Sequence, residues 1–336
     1  MYFFLRWFYM LFFIIVFVSG CAGNNSSVQH KHPLLNKIWS ISQQQFISQQ
    51  ALQQQLLAHN LILLGETHDN KQHHRLQANI VKLQVEQQKT PAVAFEMLNQ
   101  EQQSTLTQFQ QQYHQTHQSS NSITDDFASI VHWKQSGWPD YSYYRPIFKQ
   151  ALENKLPIIA ANLDIKLVRK EIKQGPEVLP EKYQSLLKKY PYPAVVQQEL
   201  ELDIQDSHCD MLPEKMLAPM LSGQQVRDIA MMDAIKKALQ KNPRLILIAG
   251  SGHTRTDYGI PWYLNQELSQ QQPELKILSL AFVEVSEDKH KPSDYAQAWG
   301  ENLTHMPFDY VWFTSRAERE DQCEKMKAFM KKKKTS

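Results

Sequence analysis

Short apolar runs recur along this chain and end alike, in polar or ionisable residues. Residues 61–64 (Leu-Ile-Leu-Leu) are too few for a helix but suit a strand buried on both faces. They lead into Gly65, Glu66 and His68. Residues 92–95 lead in the same way into Glu96, residues 157–161 into Asn162 and Asp164, and residues 244–249 into Gly250-Ser251-Gly252-His253. Two more strands, with plainer ends, are predicted over 276–285 and 310–313. Between these runs the apolar spacing predicts helices over 74–88, 101–117, 145–154, 165–170 and 224–240, the first of them capped by Asp69. Strand alternating with helix predicts an α/β fold, a mainly parallel sheet flanked by helices. Parallel order places all strand carboxyl ends on one edge, where open α/β sheets bind their ligands. Glu66, His68, Glu96, Asn162 and His253 are therefore expected to converge in one cleft.

Two regions break the alternation. Residues 175–222 are rich in proline and short helical stretches, including 181–190, and are expected to form a smaller helical insertion or lobe. Such a lobe acts either as a lid or wall over the site or as a plain helical connection. At the start, Trp7 to Val18 is unbroken apolar sequence, shorter than the roughly 20 residues that span a bilayer and matching a secretory signal. It ends in Val18-Ser19-Gly20-Cys21, which resembles the lipobox of bacterial lipoproteins; a retained signal anchor is the other reading. The expected organisation is a signal peptide over 1–20, a tether over 21–36, a core domain over 37–320 and a basic tail over 321–336. Cys21 is the expected lipidation site, and an outer-membrane, periplasm-facing location follows.

Composition changes little in this picture. A net charge of +2 and the lack of a basic stripe outside the tail make nucleic acid an unexpected partner. Glutamines crowd 43–55 and 84–118, interrupted by apolar residues, and read as exposed helix faces. Cys209 and Cys323 remain once the signal is removed; outside the cytosol they either pair or stay as buried thiols.

The chemistry gathers at two places. Glu66 and His68 alternate along an extended strand and so project to one side, where they suit a metal, a general base with its orienting partner, or hydrogen bonds to a ligand carboxylate. Capping of the loop by His68 is the plainer reading. Residues 250–261 follow two glycines with His253, Arg255 and Tyr258. Arg255 can hold a carboxylate by paired hydrogen bonds, and Tyr258, as phenolate, can ligate ferric haem iron. Trp133, Trp138, Tyr141, Tyr143 and Tyr144 offer flat surfaces to a planar ligand or simply pack. Neither phosphate-binding glycine pattern nor a Gly-x-Ser-x-Gly elbow occurs.

Several of these motifs, taken in order, resemble one family. They are the run from Leu63 to Asn70 followed by His73-His74, Phe95-Glu96-Met97, Trp138-Pro139 with Tyr144-Arg145-Pro146, the stretch from Gln225 to Asp228 with Met231-Met232, and Gly252-His253 leading to Gly259-Ile260-Pro261. Together they are similar to the ChaN-like haem-binding lipoproteins of the Tiki and ChaN superfamily. The resemblance implies an α/β core, bound haem, and a part in iron uptake at the outer membrane. It implies a ligand site made by Glu66, His68, His74, Glu96, Arg227, His253 and Arg255, with Arg255 on the propionates. Tyr258, Tyr144, Tyr143 and Tyr141 are the candidates for the haem iron ligand. Implied partners are the membrane through the lipid on Cys21, an outer-membrane haem receptor and a second copy of the chain. Hydrolytic relatives supply the alternative, a metal-dependent peptidase or esterase with a divalent ion on Glu66, His68 and His253.

Overall fold

A computed structural model describes residues 31–115, 120–268, 274–321 and 323–328. The predicted signal segment and Cys21 lie outside the described residues. The chain opens with strands β1 (Ile38–Ser40) and β2 (Gln45–Ile47), then α1 (Gln49–Ala58), β3 (Leu61–Glu66), α2 (Lys71–Glu86) and β4 (Ala92–Asn99). Helices α3 (Gln103–Gln115), α4 (Ser120–Ile130), the single turn α5 (Trp133–Ser136) and α6 (Tyr141–Glu153) precede β5 (Ile158–Asn162). Next come α7 (Ile165–Gln174), α8 (Glu181–Lys189), α9 (Ala194–Ser207) and α10 (Leu217–Leu239). The chain continues with β6 (Leu245–Gly250), α11 (Ser251–Thr254), α12 (Ile260–Leu268), β7 (Ile277–Glu284) and β8 (Tyr310–Thr314).

The strands form one eight-stranded sheet in the order β2-β1-β8-β7-β3-β6-β4-β5. From β8 to β5 every neighbour is parallel, while β1 runs antiparallel to both β2 and β8. The α/β expectation holds, and all the predicted strands are present. The β1–β2 hairpin was not foreseen, because three-residue strands such as Ile38–Ser40 are too short to display a period of two.

Both faces of the sheet are covered, which explains why its strands read as continuous apolar runs. Ile62, Leu64, Val93 and Phe95 pack on one side with Val81, Ile147 and Phe148 from α2 and α6. Leu61, Leu63, Ala92 and Ala94 pack on the other with Val226, Ile229, Met231 and Met232 from α10. Truncating any of the larger ones to alanine costs about 2–5 kcal/mol.

Some glutamines do more than coat helices. Gln103 donates to the Ile158 carbonyl at 3.0 Å and accepts from the Ala160 amide at 2.7 Å. Gln110 donates to Leu156 O at 2.8 Å and accepts from Ile158 N at 3.2 Å. These amides stand in for a missing neighbour strand and block the β5 edge from further pairing.

The fold changes one boundary and decides two readings of these segments. The insertion at 175–222 is helical, but Tyr183, Tyr190, Tyr192, Leu200 and Ile204 bury into the core beneath α10 and α12, so it is a packed lobe and not a lid. The tether ends before residue 36, because Leu34 is buried and His32 bonds to the Ser286 carbonyl at 3.0 Å. The start of the expected tail is anchored at Cys323, which forms a disulfide with Cys209 with Cα atoms 5.6 Å apart.

Candidate functional site

β3 delivers the first two site residues. A Cβ on Gly65 would lie 2.3 Å from Thr254 Oγ1 and 3.1 Å from Ser251 Cα, so only glycine lets the short helix α11 sit against β3. Beyond it the chain leaves the sheet and enters α2, whose cap is Asn70 and not Asp69. Asn70 Oδ1 accepts from the Gln72 amide at 2.9 Å, while Asp69 pairs with Arg319.

Glu66 is buried and collects cationic and phenolic partners. Its Oε1 accepts from Tyr144 OH at 2.7 Å and from His68 Nδ1 at 2.9 Å. His74 Nδ1 stands 3.1 Å from Oε2, close enough for ion pairing but without hydrogen-bond geometry. Burial pushes the Glu66 carboxyl up, yet His74 and His68 outweigh it and hold the group below the usual carboxylate range. His74 is fully buried, and its Nε2 donates to the His68 carbonyl at 2.9 Å. It is a positioning residue beneath the site and does not face ligand.

Glu96 is the second centre. The register of β4 against β5 shifts between Phe95 and Asn99, and such an irregularity re-aims side chains next to a site. Oε2 of Glu96 accepts from the Gly250 amide at 2.7 Å; Oε1 pairs with Arg227 and lies 3.3 Å from His253 Nε2. Gly250 also makes room for His68, whose imidazole a Cβ there would approach to 3.0 Å. The other nitrogen of His253, Nδ1, is 2.6 Å from Asp228 Oδ1. With a carboxylate on each nitrogen, His253 carries both protons. Although burial opposes the charge, Glu96 and Asp228 raise its pKa to about 9. Burial, offset by His253, leaves Asp228 raised, while His253, His68 and Arg227 overcome burial to hold Glu96 well below the carboxylate range.

Two cavities open on these groups. The larger, about 500 Å³, is lined by Met97, His132, Trp133, Trp138, Lys166 and Arg169 together with Glu96 and Arg227. The smaller, about 410 Å³, is lined by Glu66, His68, Gln224, Gly250, His253, Phe282, Glu284 and Trp299, again with Glu96 and Arg227. Sharing Glu96 and Arg227, they are compartments of one cleft at the carboxyl edge of the sheet. The His68 side chain is 35% exposed there, with Trp138 packed edge-on at 4.9 Å between ring centroids.

Glu66, His68, Glu96, Arg227 and His253 thus come together as expected; other expected residues do not. Arg255 is 1% exposed, directs its guanidinium at Asp257, Asp203 and the Trp299 carbonyl, and lines neither cavity. Tyr258 is buried, donates to Asp203 and carries the Arg255 guanidinium 3.8 Å above its ring. Tyr144 is committed to Glu66. Tyr141 stacks on Phe148 with its hydroxyl buried, and Tyr143 lies under Lys71. None of the four tyrosines lines either cavity. Among the described residues no group of three or more His, Cys, Asp and Glu side chains is disposed to hold a metal ion.

Sequence reasoning missed Asp228 as a partner of His253 and Lys166 and Arg169 as cavity cations. Asp228 was visible only as part of a motif. Lys166 and Arg169 fall three apart at the start of α7, directly after a strand end, a spacing that puts both on one helix face.

The family description "Haem-binding uptake, Tiki superfamily, ChaN" matches residues 52–264. No curated protein matches. Among solved structures, Campylobacter jejuni ChaN with cofacially bound haem is 23% identical with a TM-score of 0.60, over 82% of this chain and 95% of that one. The type III effector HopBA1 is 10% identical over 79% of this chain and 92% of that one, with a TM-score of 0.42. A mutant of the erythromycin esterase EreC in its open conformation is 16% identical over 82% of this chain and 81% of that one, with a TM-score of 0.38. The first supports the fold; the other two are too distant to carry an argument. Covering well over half of its length, the match shows that this chain belongs to the ChaN family of haem-binding uptake proteins in the Tiki superfamily.

Proposed function

We propose that the protein binds haem in the cleft at the carboxyl edge of the sheet and serves haem or iron uptake as a lipoprotein. It would be anchored through Cys21 to the outer membrane and face the periplasm, with an outer-membrane haem receptor and a second copy of the chain as partners. One observation carries the reading: the larger cavity combines two tryptophans, Trp133 and Trp138, with three cations, Lys166, Arg169 and Arg227. A planar apolar ring needs the first and a pair of propionates the second. Its volume of about 500 Å³ is that of a small-molecule site. Besides His253, whose two nitrogens are paired with carboxylates, the imidazoles lining the cleft are His132 and His68, and the iron ligand is sought there in preference to Tyr258 or Tyr144.

The hydrolase alternative has less support. His253 is held as an imidazolium between two carboxylates, and in that state it neither takes a proton nor binds a metal. A charged imidazole beside Arg227 suits an anionic ligand group instead.

Titration of the mature protein with haemin, followed by visible absorption, tests the reading. Saturable binding that is weakened by Arg169→Ala and Trp138→Ala is expected. A featureless, non-saturating spectrum rejects haem binding. A ferric tyrosinate spectrum that survives His132→Ala and His68→Ala returns the iron to a tyrosine.

A further inference from the structure

The chain enters the fold at one flank of the sheet, where β2 is the outermost strand and β1 lies beside it. Trp39 stands opposite Phe46 in the register of this hairpin, so the two side chains share a face. Their rings meet edge-on with centroids 4.9 Å apart. Lys37, two residues before Trp39, falls on the same face and sets its Nζ 5.1 Å from the centre of the Phe46 ring. Ile41 continues the row. Trp39 and Ile41 are half-buried, braced on the cluster that contains Val311 and Phe313. Phe46, further out, is 42% exposed and is one of the few large apolar side chains left so open among the described residues.

The chain leading to this row bears on what covers it. His32 is tied to the Ser286 carbonyl and Leu34 is buried, so the fold begins only a few residues before β1. From Cys21 to His32 the chain spans at most about 40 Å, which keeps the hairpin within reach of any surface that holds Cys21. No acidic residue occurs between Cys21 and Glu66, whereas Lys31 and Lys37 are present and exposed. The loop at 287–294, beside His32, mixes Glu287, Asp288 and Asp294 with Lys289 and Lys291 and adds little of either sign. An anionic lipid surface complements such a patch: aromatic rings settle at the level of the headgroups and the ammonium groups reach the phosphates. A second copy of the chain is a poorer occupant, because strands of 3 residues make an edge too short to bury the area of a stable dimer. The register also sets the orientation. Ser40 pairs with Tyr310 and Ile38 with Trp312, so the turn at 41–44 lies at the amino ends of the parallel strands, away from the carboxyl edge. A domain resting on this hairpin keeps its cleft open to solvent.

We infer that the β1–β2 edge is a membrane-docking surface, with Trp39, Ile41 and Phe46 set into the headgroup layer of a phospholipid bilayer and Lys31 and Lys37 on its anionic phosphates. The inference rests on the reading of Cys21 as the lipid anchor, which supplies the bilayer. It adds that the domain does not float on its tether but lies on the membrane by one defined edge.

Two measurements test it, with vesicles of phosphatidylethanolamine and phosphatidylglycerol. In the first, the lipidated mature protein is placed in vesicles whose acyl chains are brominated, and tryptophan emission is compared with that of Trp39→Phe. Quenching in the parent that is largely lost in Trp39→Phe is expected; equal quenching in both, or none, overturns the docking. The second uses the mature chain from Ala22 without lipid, at about the millimolar effective concentration that a short tether imposes. Co-sedimentation with the vesicles is expected, weakened about tenfold by Phe46→Ser and by Lys37→Glu, two exposed positions whose variants should keep the parent's circular dichroism. No co-sedimentation, or co-sedimentation indifferent to both substitutions, overturns the surface. A dimer in vesicle-free solution that Phe46→Ser dissociates gives the face to a second copy and also overturns it. Absence of palmitate labelling at Cys21 rejects the anchor reading alone, and the docking surface is then judged by the second measurement.

Discussion

Nδ1 of His68 lies 2.9 Å from Oε1 of Glu66. An ionised carboxylate can only accept, so Nδ1 carries a proton, and Nε2 faces the cleft 4.0 Å from Glu96 Oε2. Glu66 is held in turn by Tyr144 and His74. Glu66→Gln should leave His74 without a counter-charge in a buried site and cost about 3–5 kcal/mol in urea unfolding. It should also free His68, seen as a changed ring tautomer in nitrogen-15 spectra. A variant as stable as the parent, with the tautomer unaltered, would remove Glu66 from this role.

Stability should peak near the ordinary histidine pKa and fall on both sides. His253 has its pKa raised from 6.5 to about 9 by Glu96 and Asp228 against the cost of burial, so its contribution is complete below 6.5 and is lost as pH rises through 9. His73, between the Thr67 amide and the Thr314 hydroxyl, is pushed by burial from 6.5 down to about 4. The unfolded chain takes up a proton that folded His73 refuses, so stability is lost as pH falls from 6.5 toward 4. Each limb is worth up to about 3 kcal/mol. Urea midpoints across this range, with His253→Gln flattening the alkaline limb and His73→Gln the acid one, check the assignment; a profile indifferent to both substitutions defeats it.

Gly65→Ala should destabilise the protein by about 1–3 kcal/mol through overpacking. The new methyl meets Thr254 Oγ1 and the Ser251 backbone, and so displaces the turn that carries His253. Thr254→Ala removes the nearer obstacle and should restore part of the loss. Equal effects in the single and double variants would mean the clash is not the cause.

Loss of the Cys209–Cys323 bridge, which closes a separation of 114 residues, should lower global stability by about 2–4 kcal/mol. Thermal unfolding of Cys323→Ser and of the reduced parent should show the same decrease. A decrease in the variant alone would point to the serine and not to the bridge.

Much of the fold was legible because burial on both faces forces strands such as Leu61–Glu66 and Leu245–Gly250 to be continuous apolar runs, which are readable residue by residue. The polar residues ending them were legible as a site because parallel order gathers strand ends. What could not be read was which nearby group each side chain would spend itself on. Arg255 and Tyr258 look, in sequence, like a clamp and an iron ligand; the fold brings Asp203 from α9 against both and uses up their polar atoms. Lys166 and Arg169 look like ordinary solvated cations, and the fold puts them on the cavity wall. The disulfide was one of two readings left open and the Arg319 bridge to Asp69 was not legible at all, because pairing depends on distance in space and separation along the chain does not report it. Local pattern fixes the elements and the edge where chemistry collects; the partners of each charged group are decided only when distant segments pack together.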